Sequence, residues 1–240
     1  MPKINKDSTL NITFVGIGLC LLCSAIISFI AIQLRSVQEN NVVLDMQKKI
    51  VSSAGLDEVY GSVENAMSNI KTLIIDLDRG EIVDINPDTY ELSKELREDG
   101  KYKFLSAEED VASIKKREKY SKVYIEYKDN EINTLILPVR GYGLWGILYG
   151  YLAIEGDFNT VAGLEFYEHK ETPGLGAEID NPKWKALWKG KKIYQENGEV
   201  SLKVIKGSVM KTSDNFSYEI DGLSGATLTC NGVSNLIAYW

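Results

Sequence analysis

Charged residues vanish from the chain between Ile12 and Leu34, where Phe14, Val15, Ile17, Leu19, Leu21, Leu22, Ile26, Ile27, Phe29, Ile30 and Ile32 dominate. As a helix this stretch rises about 34 Å, enough to cross a hydrocarbon core of roughly 30 Å. It is longer than the apolar core of a cleavable signal peptide, and no small-x-small cleavage site follows it, so a retained membrane anchor is expected. Residues 1–11 then form a short polar tail. Lys3 and Lys6 stand on one side of the anchor and Arg35, Lys48 and Lys49 on the other, so charge does not decide its orientation.

Beyond the anchor the pattern becomes amphipathic. Val43, Met46, Gln47 and Ile50 recur at helical spacing, which predicts a continuing helix over 35–55 stopped by Gly55. Glu58 to Asn69 predicts a second helix. Lys71 to Asp78 predicts a strand, turned at Arg79-Gly80 and returning through Glu81 to Ile85. Asp76, Asp78 and Asp84 near that turn lack EF-hand spacing and read as solvated turn acids rather than a calcium site. Asn86 to Lys119 is polar, a surface insertion with one or two helices.

The rhythm then changes to strands. Lys122–Lys128, a turn at Asp129-Asn130 and Ile132–Val139 predict a β-hairpin, extended as an antiparallel meander by Ile147–Ile154 and Thr160–Glu168. Asn181-Pro182 starts a short helix whose Trp184, Leu187 and Trp188 line a core face, ended by Gly190. Short strands are expected at 191–194 and 202–205. A polar loop over 211–217 leads to a final helix in the region of Thr227 to Ile237. The fold class is therefore α+β: a transmembrane helix over 12–34, a helical connector with a first α+β subdomain over 35–119, and a main domain over 120–240.

Composition narrows the function. A hydrophobic share of 44% supports a core, and a formal net charge of −7 without a basic, aromatic-laced stripe argues against nucleic acid. The dense run Lys115-Lys116-Arg117-Glu118-Lys119 follows Glu108, Glu109 and Asp110 and reads as a solvated helix face. Cys20 and Cys23 lie within the apolar stretch and read as small apolar residues. Cys230 reads as buried packing. His169 is the single histidine, too few for a histidine-based metal site.

Three short stretches carry candidate chemistry. Asp221-Gly-Leu-Ser224-Gly225-Ala226-Thr227 reads as a tight turn feeding a helix, with Asp221 and Ser224 both suitable N-caps. Free amides and the positive dipole end there suit a phosphate, beside the Thr227 hydroxyl. Glu168 to Gly176 contains Glu171-Thr172-Pro173-Gly174-Leu175-Gly176, a rigid turn able to aim amides at a ligand. Gly141-Tyr-Gly143-Leu144-Trp145-Gly146 formally matches a dinucleotide fingerprint, but a strand follows it and Trp145 occupies the tight turn, so no NADH site is expected.

In this order the three stretches resemble the flavin subunits of bacterial respiratory pumps. The chain is most similar to the family of C-type subunits of the sodium-translocating NADH:quinone oxidoreductase, with the G-type flavin subunit of the Rnf complex as a related alternative. Asp221 to Thr227 looks like the acceptor sequence of flavin transferases, which join FMN through its phosphate to the final hydroxyl residue. The resemblance covers residues 120–238 and agrees with a single N-terminal anchor; family members usually run on somewhat beyond the position of Trp240. It implies an FMN-binding domain of antiparallel sheet and flanking helices, with FMN covalently held on Thr227. It also implies contacts from Asp221, Ser224, Gly225, Ala226, Glu171, Thr172, Gly174, Leu175, Gly143, Leu144 and Trp145. The implied task is relaying electrons within a membrane complex that oxidises NADH, reduces ubiquinone and pumps sodium. The implied setting is the bacterial inner membrane, with a cytoplasmic N-terminus and the large domain in the periplasm. The implied partners are the other membrane and flavin subunits, the bilayer, and a flavin transferase for maturation. Such an enzyme is needed because a lone threonine hydroxyl is a poor nucleophile without an adjacent base. A cofactor-free, membrane-anchored sensor is the rival from another class.

Overall fold

The structure, a computed structural model, describes residues 8–240, and the chain divides into two units, residues 1–46 and 47–240. Helix α1 runs unbroken from Thr9 to Ser53. It begins inside the expected tail of residues 1–11; Lys3 and Lys6 lie outside the described residues. In the first unit the apolar side chains from Leu10 to Leu34 are exposed along the helix, as suits a lipid solvent.

The second unit starts with the last turns of α1, whose Ile50, Val51 and Ser53 are buried. Gly55 ends the helix in a left-handed conformation (φ 64°). The single helix expected over 58–69 is broken in two. Gly61, with φ 72°, closes α2 (Leu56–Tyr60), and the Ser62 side chain accepts the Asn65 N–H to start α3 (Val63–Asn69).

The strands that follow are β1 (Ile70–Asp76), β2 (Glu81–Val83), β5 (Tyr120–Lys128), β6 (Glu131–Tyr142), β7 (Ile147–Glu155) and β8 (Val161–Glu168). They form one antiparallel sheet in the order β2-β1-β5-β6-β7-β8. Asp129 and Asn130 both take positive φ in the two-residue turn between β5 and β6, the geometry that matches the twist of paired strands. The boundary expected at 119/120 runs through this sheet: β1 pairs with β5 from Ile70↔Glu126 to Asp76↔Tyr120. Strand pairing depends on register, not on distance along the chain, so the polar insertion did not reveal it.

That insertion holds only the single turn α4 (Leu92–Glu95), a turn at Pro87–Thr89, and a ladder of β3 (Tyr102–Phe104) with β4 (Lys116–Glu118). The basic run expected on a helix is thus strand β4. The Asp110 carboxylate accepts the N–H groups of Ile114 and Lys115, turning the chain, and Glu118 is buried in an ion pair with Arg140 of β6. Asp76, expected to be solvated, is buried and accepts the Asp78 and Arg79 N–H groups at 2.9 and 3.2 Å, while Asp78 pairs with Arg117.

Both sheet faces are covered. Tyr151 and Ala153 of β7 pack with Ile50, Val51, Leu56 and Ala66; the alternate residues Leu148, Leu152 and Ile154 pack beneath the C-terminal segments. Those segments are α5 (Pro182–Lys185), β9 (Lys203–Val204), β10 (Glu219–Ile220) and α6 (Thr227–Tyr239). The strand expected at 191–194 reduces to the bridges Thr160↔Lys192 and Tyr194↔Val200, and β9 pairs with β10 in parallel. Trp184 and Trp188 are buried in this core, and Trp184 Nε1 donates to the Asp221 carbonyl at 2.8 Å.

Gly163 of β8 lies against the last turn of α1, where an added Cβ would sit 2.4 Å from the Ser53 carbonyl. Gly163→Ala is expected to cost about 1–3 kcal/mol, read by denaturant unfolding of the detergent-solubilised protein; unchanged stability would refute this contact. Asp157 lies in the turn from β7 to β8. Burial alone would raise its pKa, but hydrogen bonds from the Thr160 hydroxyl and N–H, the Asn159 N–H and Lys192 hold it well below the usual range. Its contribution is therefore present above the unfolded value of about 3.9 and is lost as pH falls through the folded one. The Tm difference between wild type and Asp157→Asn should shrink steadily below about pH 4.

Candidate flavin site

Glu171 is where the three stretches meet. The chain leaves β6 at Tyr142, makes a tight loop closed by the Gly143 N–H on the Gly146 carbonyl at 2.8 Å, and returns as β7. Inside that loop the N–H groups of Leu144 and Trp145 both donate to Glu171 Oε1 at 3.0 Å. On the other side the Thr229 hydroxyl, in the first turn of α6, donates to Oε2 at 2.5 Å. Glu171 is only 5% exposed. Its own N–H donates to His169 Nδ1, leaving Nε2 to donate to Asp180 at 2.8 Å, so the histidine braces this loop. Glu171, named by the resemblance as a cofactor contact, is buried, and its carboxylate finds the donors that burial requires in the neighbouring loops.

The loop after β8 turns through Gly174 (φ 74°), with the Thr172 carbonyl accepting the N–H groups of Leu175 and Ala177. Thr172, Gly174 and Leu175 are exposed, and Gly176 is buried against Glu171. Gly225 (φ 73°) brings the acceptor turn against this loop: an added Cβ there would lie 2.9 Å from Leu175 Cδ2.

Helix α6 starts at Thr227 with Ala226 as its N-cap, so neither Asp221 nor Ser224 caps it. The Asp221 carboxylate is used by the Val209 N–H at 2.7 Å, which pins the loop ahead of the turn, and Ser224 is exposed. There is no side-chain cap: the Ala226 N–H donates to the Leu223 carbonyl at 3.2 Å, and the next amide to find a partner is that of Cys230, on the Ala226 carbonyl at 2.9 Å. Between them, the N–H groups of Thr227, Leu228 and Thr229 have no partner among the described residues and stay free for an anion. Ala226 is buried, whereas Thr227 is exposed at the rim. Thr229 was not anticipated as part of the site. Two residues along a helix turn by about 200°, so Thr227 and Thr229 face opposite sides of α6, and packing against Glu171 decides that Thr229 is the inward one.

The loops joined through Glu171 and the first turn of α6 expose a set of apolar side chains, an apolar shelf: Trp145 is 62% exposed and Leu228 59%, with Tyr142, Leu144 and Leu175 also open to solvent. Aromatic and aliphatic groups left uncovered beside an exposed hydroxyl and free amides fit a phosphate-bearing planar ring system. The cleft lined by Gln195, Val200, Lys203, Tyr218, Glu219 and Asn235 shares no residue with this shelf.

A family model described as the FMN-binding domain matches residues 143–240. The C-type subunit of the Na(+)-translocating NADH-quinone reductase of Pseudomonas aeruginosa is 46% identical, over 98% of this chain and 92% of that one. Its counterpart in Vibrio anguillarum is 41% identical, over 98% and 91%. Among solved structures, NqrC of Shewanella oneidensis superposes with a TM-score of 0.73 at 30% identity, covering 81% of this chain and 89% of that one. The corresponding reductase subunit of Parabacteroides distasonis gives a TM-score of 0.60 at 29% identity, covering 85% and 92%.

Cys230 is buried behind the acceptor turn, where its Sγ accepts the Leu223 N–H at 3.3 Å. Burial pushes its thiol pKa up, only partly offset by hydrogen bonds to the sulfur. Cys230 should resist iodoacetamide at pH 8 in the native protein and react once unfolded, as read by peptide mass; native labelling would contradict this placement of the turn.

Proposed function

The chain belongs to the family of C-type subunits of the Na(+)-translocating NADH-quinone reductases, and we propose that it works there through FMN esterified to Thr227. Membership makes it the electron-carrying subunit of a sodium-translocating NADH:quinone oxidoreductase, with an FMN-binding domain. It sets aside the Rnf flavin subunit and the cofactor-free sensor. As part of a membrane respiratory complex it works beside other subunits, and α1 supplies one helix long and apolar enough to span the bilayer. On our reading α1 meets lipid directly and the flavin domain lies on the periplasmic side.

The observation that carries the Thr227 assignment is the contrast between two hydroxyls. Thr229 is 0% exposed and committed to Glu171, while Thr227 is exposed at an uncapped helix start. The free amides and the helix dipole would hold the remaining phosphate charge. Leu144, Trp145 and Leu175 would support the ring, with Thr172, Gly174 and Gly225 shaping its edge and Gly143 letting the loop close. When bound, FMN supplies the electron chemistry; the chain positions it and keeps it from diffusing away.

No ionisable base hydrogen-bonds to the Thr227 hydroxyl among the described residues, which supports maturation by a separate flavin transferase. In that step the Thr227 oxygen displaces the leaving group from the phosphorus of an activated flavin nucleotide, and the transferase takes up the hydroxyl proton. The protein co-expressed with a flavin transferase should fluoresce in a denaturing gel. Peptide mass should place FMN less one water within residues 221–235. Thr227→Ala should be dark; fluorescence surviving in that variant would move the attachment elsewhere.

A further inference from the structure

Glu171 brings a negative charge to the place where the three loops join, and its three hydrogen-bond donors, the Leu144 N–H, the Trp145 N–H and the Thr229 hydroxyl, are all neutral. The charge is thus spread but not cancelled. Gly143 and Gly176 leave the carboxylate its room: an added Cβ on either would come within 2.6 Å of one of its oxygens. The side chains of Leu144 and Trp145 are 37% and 62% exposed. Their amides are occupied by Glu171 and cannot donate to a ring resting on those side chains. The buried carboxylate is therefore bonded directly to the backbone that carries these exposed side chains. Lys170, the adjacent cation, lays its stem against Gly146.

We propose that Glu171 is a positioning residue that also sets the flavin's midpoint potential, an inference resting on the assignment of FMN to Thr227. Its carboxylate fixes the Gly143–Trp145 loop to the first turn of α6, so the ring support and the attachment point move as one piece. Its charge lowers the potential. Reduction places negative charge on the ring system, and a like charge held nearby, screened by protein rather than by bulk water, opposes that. The flavin is thereby made a stronger donor than the same shelf would make it with a neutral residue at 171.

The test is a potentiometric titration of the full chain after co-expression with a flavin transferase. Glu171→Gln keeps the side-chain size and an oxygen for both amides but removes the charge; its midpoint potential should shift upward with FMN still on Thr227. Thr229→Val keeps the packing and the charge but removes one donor, leaving the charge less neutralised, and should shift the potential downward. If Glu171→Gln fails to retain flavin, the downward shift of Thr229→Val supports the proposal by itself. A wild-type potential in a flavin-bearing Glu171→Gln, or in Thr229→Val, overturns it. Wild-type protein that never acquires flavin overturns the Thr227 assignment instead.

Discussion

A single buried carboxylate makes one site out of three loops that are far apart in the chain. Glu171 accepts from residues 27 and 58 positions away, at Leu144 and Thr229. Hydrogen bonds to an ionised group contribute about 1.5–3 kcal/mol each, and the same group without them would carry the full cost of burial. The three loops are therefore strongly coupled through this one carboxylate. The neighbouring glycines follow from the same constraint, since neither Gly143 nor Gly176 has space for a Cβ beside this carboxylate.

The sheet supplies the frame. Strands β6, β7 and β8 are covered on both sides, by α6 and the tryptophan cluster on one face and by α2, α3 and the last turns of α1 on the other. The loops at the ends of these strands inherit that rigidity. Charge pairs fasten the outer pieces: Glu165 of β8 takes Lys49 at 3.2 Å and Lys185 at 2.5 Å, joining the end of α1 to the sheet and to α5. Glu118 and Arg140 do the same for the polar insertion. One buried member of each pair would be costly alone, so these contacts also specify which segment covers which part of the sheet. A member of an electron-carrying complex needs this definition, because transfer depends on holding a cofactor at a fixed place.

Much of this was legible beforehand where the signal is local. The apolar stretch from Ile12 to Leu34, the stop at Gly55, the Asp129-Asn130 hairpin turn and the Asn181-Pro182 helix start each depend on a few adjacent residues, and each lies where the pattern put it. Misreadings came where a distant partner decides the outcome. Within the basic run, Lys116–Glu118 form a strand that pairs with β3, and Arg140 of β6 takes the Glu118 carboxylate. Asp221 looked like a cap, but Val209 takes its carboxylate.

By itself, the sequence determined the long apolar N-terminal helix, the antiparallel meander and the short helix after Asn181-Pro182, because hydrophobic period and turn chemistry are properties of neighbouring residues. Only the tertiary structure decided that β1 joins the main sheet, that Glu171 faces inward, and that Thr229 is sealed while Thr227 stays open. Those outcomes turn on which remote donor reaches a buried acceptor first, and no local pattern carries that information.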